Sequence, residues 1–261
     1  MSAFLHTAIR AAREAGNVIL RGYEDISKLH IEEKTPNDYV SEVDRKAEEV
    51  IISVIQKAYP DHSIISEEAG IINGAKKDFQ WIIDPLDGTN NFVKHFPHFA
   101  VSIALRVKGS TEIAVVFDPL KNEIFTAIKG QGAKLNSSRL RVNPNKTLAT
   151  SILATGFPFK NKSNMPIQMS IMTALSKICV DFRRTGSAAL DLCYCASSRI
   201  DGFFEMSLRP WDIAAGELIA REAGLLVSDF NGGFDYLTSG NVVAAPSKVL
   251  REILKEISSR I

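Results

Sequence analysis

Cysteine is scarce: Cys179, Cys193 and Cys195 are the three among 261 residues. The spacing Cys193-Tyr194-Cys195 is not a Cys-x-x-Cys redox motif, and no second pair completes a zinc site. Buried free thiols in a reducing compartment are expected. An excess of one charge is also lacking, since 31 Lys and Arg against 30 Asp and Glu leave a net charge of +1. No global field therefore recruits nucleic acid or a membrane, and an anionic ligand has to be met by a local site. No apolar run reaches transmembrane length, and Met1 to Arg13 carries charges where a secretory signal is apolar. A cytoplasmic protein is expected. Low-complexity segments, internal repeats, linkers and a nucleophile motif are absent as well.

What is present is enough apolar material, 45% of the chain, for one large domain or two small ones. Phe4, Ala8, Ala11, Ala12, Ala15 and Ile19 recur at helical spacing. Val43, Ala47, Val50, Ile51, Val54 and Ala58 do so again before Pro60. Short strands are predicted at 62–66 and 80–83, then an antiparallel meander over 100–107, 112–117 and 123–128, separated by turn residues. A purely alternating parallel α/β fold would not contain that meander. Further on, Ile167, Ile171, Leu175 and Ile178 form a helical stripe. Helices are predicted over 188–198 and 211–223 and from about Ser247, with strands at 202–206, 225–229 and 242–245. The pattern is α/β, with helices sandwiching at least two sheets.

The chemistry concentrates in Trp81-Ile82-Ile83-Asp84-Pro85-Leu86-Asp87-Gly88-Thr89-Asn90. Pro85 is expected to end the apolar strand and to leave Asp84 extended at its tip. Asp87 then returns to the same point, and Gly88 lets backbone approach an anion. A helix starting near Thr89 would offer free N–H groups to a phosphate. Clustered carboxylates beside an anion need a cation between them, and hard oxygen donors with phosphate select Mg²⁺. Asp, Pro and Gly are also ordinary turn residues. Two further acidic tips count against that plain reading: Glu67-Glu68 after a strand, and Asp212 at a helix start, where Asp is also a favoured N-cap.

Taken together, Glu67-Glu68, Asp84-Pro85-Leu86-Asp87-Gly88-Thr89-Asn90-Asn91-Phe92 and Trp211-Asp212-Ile213-Ala214-Ala215-Gly216 resemble the three signatures of the inositol monophosphatase family. The segments 182–192 and 208–212 are most similar to its proteobacterial branch. Asn90, where many relatives have a second Thr, is a conservative departure. The resemblance implies one domain over 1–261 with a layered αβαβα fold, that of the sugar-phosphatase superfamily. It implies a lithium-sensitive, Mg²⁺-dependent homodimer that hydrolyses inositol monophosphate or a similar polyol or sugar phosphate with metal-activated water. Glu67, Asp84 and the Leu86 carbonyl would hold one ion, and Asp84, Asp87 and Asp212 another, with Glu67 reaching a third through water. Thr89, supported by Asp44, would orient the attacking water near Glu67. Gly88 and Thr89 would hold the phosphate. Asp87, Arg183, Gly186, Ser187, Ala188, Glu205 and Asp212 are the candidate substrate contacts.

Several residues keep two readings. Lys34 is either a solvated lysine or a group that approaches the metals. Arg183 and Arg184 suit a dimer mate, an anionic substrate or another protein, in that order. His95 and His98 are expected to be loop histidines, because no third ligand suits them. Glu205, in the apolar run Phe203-Phe204-Glu205-Met206, is unlikely as an unpaired buried charge, which favours function. A haloacid-dehalogenase-type phosphatase, forming an aspartyl-phosphate, is a competing reading. Its Asp-x-Asp-Gly-Thr motif has one residue between the acids, where this chain has Pro85 and Leu86. A second alternative is a regulatory role, since some proteobacterial members act with RNA polymerase and antitermination factors in ribosomal RNA transcription.

Overall fold

The computed structural model describes residues 2–25, 31–35, 38–158 and 161–261. The helices α1 (Ser2–Glu24) and α2 (Glu42–Ala58) follow the two N-terminal stripes. Ala8, Ala11, Ala12, Ala15 and Ile19 pack with Val43, Ala47, Ile51 and Val54 in one core. The hairpin of β1 (Ile31–Thr35) and β2 (Asp38–Ser41) leads into α2. Lys34 falls on β1, and its side chain lies outside the described residues. Ser41 caps α2 by accepting the Val43 and Asp44 amides at 3.2 and 3.4 Å, while Asp44 Oδ2 accepts the Ser41 N–H at 2.9 Å. This reciprocal cap fixes the Asp44 carboxylate at the helix start.

An eight-stranded sheet follows, made of β3 (His62–Ser66), β4 (Gly70–Ile72), β5 (Lys76–Asp87), β6 (Ala100–Val107), β7 (Ser110–Asp118), β8 (Glu123–Ile128), β9 (Gly132–Leu135) and β10 (Ser138–Arg139). Its order is β10-β9-β8-β7-β6-β5-β3-β4. From β5 to β10 it is antiparallel, and β6, β7 and β8 are the meander read from the sequence, while β3 runs parallel to β5. The short helix α3 (Thr89–Val93) links β5 to β6. Its loop carries His95 and His98, and His98 is buried rather than surface-lying.

The second sheet has the order β12-β11-β13-β15-β14, from β11 (Ile152–Thr155), β12 (Asp181–Arg183), β13 (Gly202–Glu205), β14 (Leu226–Ser228) and β15 (Val242–Ala245). Five helices accompany it: α4 (Met165–Leu175), α5 (Ala188–Ala196), α6 (Pro210–Ala223), α7 (Tyr236–Ser239) and α8 (Ser247–Ser258). The α4 stripe stops at Leu175. Ile178 lies beyond it and is exposed, because the chain turns out of the helix at Ser176.

Side-chain alternation builds the layers. Ile83, Ile103 and Val115 pack with α1 and α2, whereas Ile82, Ala104, Ala114 and Val116 pack with Leu190 and Cys193 of α5 and Leu218 of α6. In the second sheet Ala154, Phe203 and Val242 face Leu192 and Ile213, while Leu153, Phe204 and Val243 face Ile171 of α4 and Ile253 of α8. The architecture is αβαβα, with both sheets covered on both faces, which is why their strands read as nearly continuous apolar runs. No described helix is long and apolar enough to cross a membrane. All three cysteines are free. Cys193 and Cys195 are buried, but Cys179 is only half-buried, since it sits at the edge of the second sheet.

Candidate functional site

The site starts from strand register. Because β3 is parallel to β5 with Ser66 opposite Ile83, the chain leaves both strands at the same end, with Glu67 beside Asp84. The strand does not stop at Asp84 as Pro85 led one to expect. It runs to Asp87 through a bulge: Asp84 opposes Ser102 and Asp87 opposes Ala100. Pro85 has no N–H for the ladder and is accommodated at this irregularity. Residues three apart point to opposite faces of a regular strand, so the bulge is what re-aims Asp84 and Asp87 toward one point. Asp212, in the first turn of α6, completes the cluster. The three carboxylates offer oxygens that all lie within 4.8 Å of one another.

Each acid is held. Asp84 Oδ1 accepts the Leu86 N–H at 3.0 Å. Asp87 Oδ2 accepts the Ser187 hydroxyl at 2.6 Å and the Ala189 N–H at 2.8 Å, at the N-terminus of α5. Asp212 Oδ2 accepts the Arg209 N–H at 2.7 Å, so it caps α6 and faces the cluster at once. Burial, and then the negative charges of Glu67, Asp87 and Asp212, push the Asp84 carboxyl well above the usual range. Burial also raises Asp87 to about 6, against the pull of Ser187 and the Ala189 amide. A divalent cation among these oxygens would reverse both shifts, and an all-carboxylate donor set suits a hard ion such as Mg²⁺. The residues present therefore fit the group that the motif implies.

Gly88 follows with φ 95°, and a Cβ there would stand 3.0 Å from the His98 carbonyl oxygen, so the turn requires glycine. Thr89 begins α3. Its hydroxyl lies 2.9 Å from Asp44 Oδ1 and 3.0 Å from the Leu86 carbonyl, which joins the α2 cap to the 84–89 turn. Burial raises Asp44 to about 6, with the Ser41 and Thr89 hydrogen bonds working against it.

The opposite wall comes from the second sheet. Here β11 is parallel to β13 with Thr155 opposite Phe204, so Gly156 and Glu205 emerge together. A Cβ on Gly156 would collide with the Glu205 carboxylate, so glycine makes room for the acid. Between the walls lies an open cleft. It is lined by Glu67, Asp84, Leu86, Asp87, Gly88, Thr89, Gly186, Ser187, Ala188, Glu205 and Asp212 from the sequence reading. Arg183 does not line it. Its guanidinium is tied to Asp181 and to the Phe182 carbonyl on edge strand β12, and alternation gives the cleft to Arg184 instead.

Other residues were not singled out from the sequence. Buried Glu48 accepts the Ser66 hydroxyl and, at 3.0 Å, the Glu68 amide, and so fixes the turn that carries Glu67. Asn91 Nδ2 donates to the carbonyls of His98 at 2.7 Å and Thr185 at 2.9 Å, bracing the α3 segment against the 184–187 loop. Asp191, raised to about 8 by burial, accepts the Thr185 hydroxyl at 2.8 Å. An acid inside the apolar helix 188–196 was a legible signal of the same kind as Glu205, and Ser41-x-x-Asp44 is a legible capping box. Glu48 left no comparable trace.

The inositol monophosphatase family model matches residues 1–261. The chain belongs to that family. The Nus factor SuhB of Haemophilus influenzae is 59% identical over 257 residues, 98% of this chain and 96% of that protein. The extragenic suppressor protein suhB of Bartonella henselae shares the fold with a TM-score of 0.96 at 37% identity, covering 99% of this chain and 100% of that one. A Staphylococcus aureus inositol monophosphatase, solved with inositol monophosphate bound, has a TM-score of 0.82 at 26% identity over 98% of this chain and 94% of that one.

Proposed function

We propose that this protein is a Mg²⁺-dependent phosphomonoesterase acting on inositol monophosphate or a closely similar polyol phosphate. The observation that carries the reading is the convergence of Asp84, Asp87 and Asp212 within 4.8 Å, beside Glu67 and the Gly88 turn. Asp84, Glu67 and the Leu86 carbonyl would hold one ion, and Asp84, Asp87 and Asp212 a second. Bound Mg²⁺ would neutralise phosphate charge and acidify water. The backbone at Gly88 and Thr89 receives the phosphate. Thr89 has its single hydroxyl proton in reach of Asp44 Oδ1 and of the Leu86 carbonyl; with that carbonyl on the ion the proton would go to Asp44, leaving the oxygen to accept from the attacking water and orient it. Glu67, on the same cleft, would take the proton from that water. Phosphoryl transfer depends on such positioning and charge neutralisation more than on a protein nucleophile, and this reading needs none.

For the leaving group, Glu205 and the 186–188 backbone offer hydrogen bonds to sugar or inositol hydroxyls. The inositol monophosphate bound in the Staphylococcus aureus relative supports that substrate class, and the same protein solved with 2'-AMP widens it. A phosphate-release panel of inositol monophosphate, sugar phosphates, fructose bisphosphate, histidinol phosphate, 2'-AMP and an aryl phosphate, with Mg²⁺ present, tests the reading. Inositol monophosphate is expected to have the highest kcat/KM. Release from none of them would overturn it, and a trapped aspartyl-phosphate would move it to the haloacid-dehalogenase mechanism. The homodimer implied by the resemblance belongs to the same reading.

A second reading is favoured by the relatives named Nus factor SuhB, at 54–59% identity. It is a role in transcription antitermination with RNA polymerase and its factors, alongside the hydrolysis. Capture of those factors from extract by the unmutated chain and by an Asp87→Asn chain alike would separate it from catalysis.

A further inference from the structure

Six described residues other than glycine have positive φ, and five have an ordinary local reason. Lys108, Asn122 and Asn136 turn the links β6–β7, β7–β8 and β9–β10, while His95 and Ser198 follow the ends of α3 and α5. The sixth, Ser207 at φ 66°, ends no helix and closes no hairpin. It stands between β13 and α6 on the wall of the cleft. A left-handed backbone in a residue with a Cβ is costly, and such strain concentrates at functional sites where neighbours hold it in place.

The neighbours are identifiable. The Ser207 N–H donates to Asn241 Oδ1 at 3.2 Å, and the Leu208 N–H donates to the Gly240 carbonyl at 2.9 Å. The Ser207 hydroxyl accepts from Asn164 Nδ2 at 3.1 Å. A hydroxyl that accepts from an amide keeps its proton to donate, and among the described residues no group takes that proton. Glycine would adopt this backbone with less strain, so the hydroxyl is what serine adds here. Two residues upstream on the same wall, Glu205 offers a carboxylate.

We propose that Ser207 is a specificity-determining contact for the leaving group, its hydroxyl held by Asn164 and donating to an oxygen of a hydroxylated, polyol-type substrate. The proposal rests on the phosphatase reading above. Ser207 lies on the leaving-group wall and is no part of the carboxylate cluster, so its loss acts on discrimination between leaving groups and leaves metal binding intact.

The test is the ratio of kcat/KM for inositol monophosphate to that for an aryl phosphate, in Ser207→Ala, Ser207→Gly and Asn164→Ala. Loss of one neutral hydrogen bond should lower the ratio roughly five- to tenfold in both Ser207 variants. Asn164→Ala should lower it less, because the hydroxyl remains but is no longer held. Ser207→Gly should melt above Ser207→Ala, because glycine relieves the left-handed backbone while both lose the hydroxyl. A purely structural serine would depress both substrates together and leave the ratio unmoved. An unmoved ratio in both Ser207 variants of a working enzyme overturns the inference alone. Failure of the unmutated chain to hydrolyse either substrate with Mg²⁺ overturns the phosphatase reading and the inference with it.

Discussion

The two walls of the cleft are built by the same device and differ in what it delivers. On the wall of the eight-stranded sheet, parallel strands β3 and β5 bring out Glu67 and Asp84, and a bulge adds Asp87. Every one of these positions is acidic, and helix caps or backbone amides restrain the carboxylates that form the cluster. On the wall of the five-stranded sheet, parallel strands β11 and β13 bring out Gly156 and Glu205, and loops supply Arg184 and Ser207. Those four positions mix an acid, a cation, a hydroxyl and a missing side chain. The first wall suits an invariant task, holding cations and a phosphate. The second suits recognition of a variable group. Mutations on the first should abolish turnover for every substrate, and mutations on the second should change which substrate is preferred.

The comparison breaks most readily at Asp87. Asp87→Asn keeps the size and the bond from Ser187 but removes a negative ligand. Turnover should fall on the order of 10²-fold or more on all phosphomonoesters alike, by analogy with losing one electrostatic element of a transition state. The circular dichroism spectrum should be unchanged. Near-normal turnover at saturating Mg²⁺ would make Asp87 a turn residue held by α5.

Glu205→Ala gives the contrasting case. Hydroxyls left unpaired in a partly closed site cost roughly 1–3 kcal/mol, so kcat/KM for inositol monophosphate should fall about 5- to 150-fold. The loss for an aryl phosphate should be far smaller. Equal losses on both would place Glu205 with the metal wall and dissolve the distinction between the walls.

The smallest effect concerns Asp191, which lies between them. Its carboxyl titrates at about 8 in the folded chain because it is buried, against about 4 when unfolded. The folded state therefore binds the extra proton, and the stability it confers is full below about pH 4 and lost as pH rises through about 8. Asp191→Asn stays neutral. Its Tm relative to the unmutated chain should rise from pH 5 to about pH 8 and level off above that, read by thermal melts in chelator. A pH-independent difference would mean that the Thr185 bond and not the titration sets the role of Asp191.

Much of the layered order was legible because buried strands and amphipathic helices carry their periods in the sequence. The meander at Ala100–Val107 and Glu123–Ile128 and the helix start at Ser247 were read to the residue. The short strands β1, β2, β4, β9, β10, β11 and β12 were not read, since so few residues carry no period; β13, β14 and β15 are no longer and were read from their apolar runs. Pro85 misled about the end of β5 because a bulge, a tertiary feature, admits a proline that local rules forbid. The carboxylates of the metal wall were legible because their spacing is local. The other wall was legible at Glu205, where a single acid broke an apolar run, and at Arg184, one of the arginine pair read as a possible substrate contact. Asn91 braces the 184–187 loop, and Gly156 and Ser207 meet the cleft, through contacts between segments far apart in the chain, and no local pattern announces those.

The central claim is that the acidic wall works through a divalent cation. Its most direct measurement is phosphate release from inositol monophosphate by the chelator-treated chain, before and after Mg²⁺ or Ca²⁺ is restored. Release should vanish in chelator and return with Mg²⁺, with little return on Ca²⁺, whose looser coordination holds in-line geometry poorly. Full activity in the metal-free sample would contradict the account.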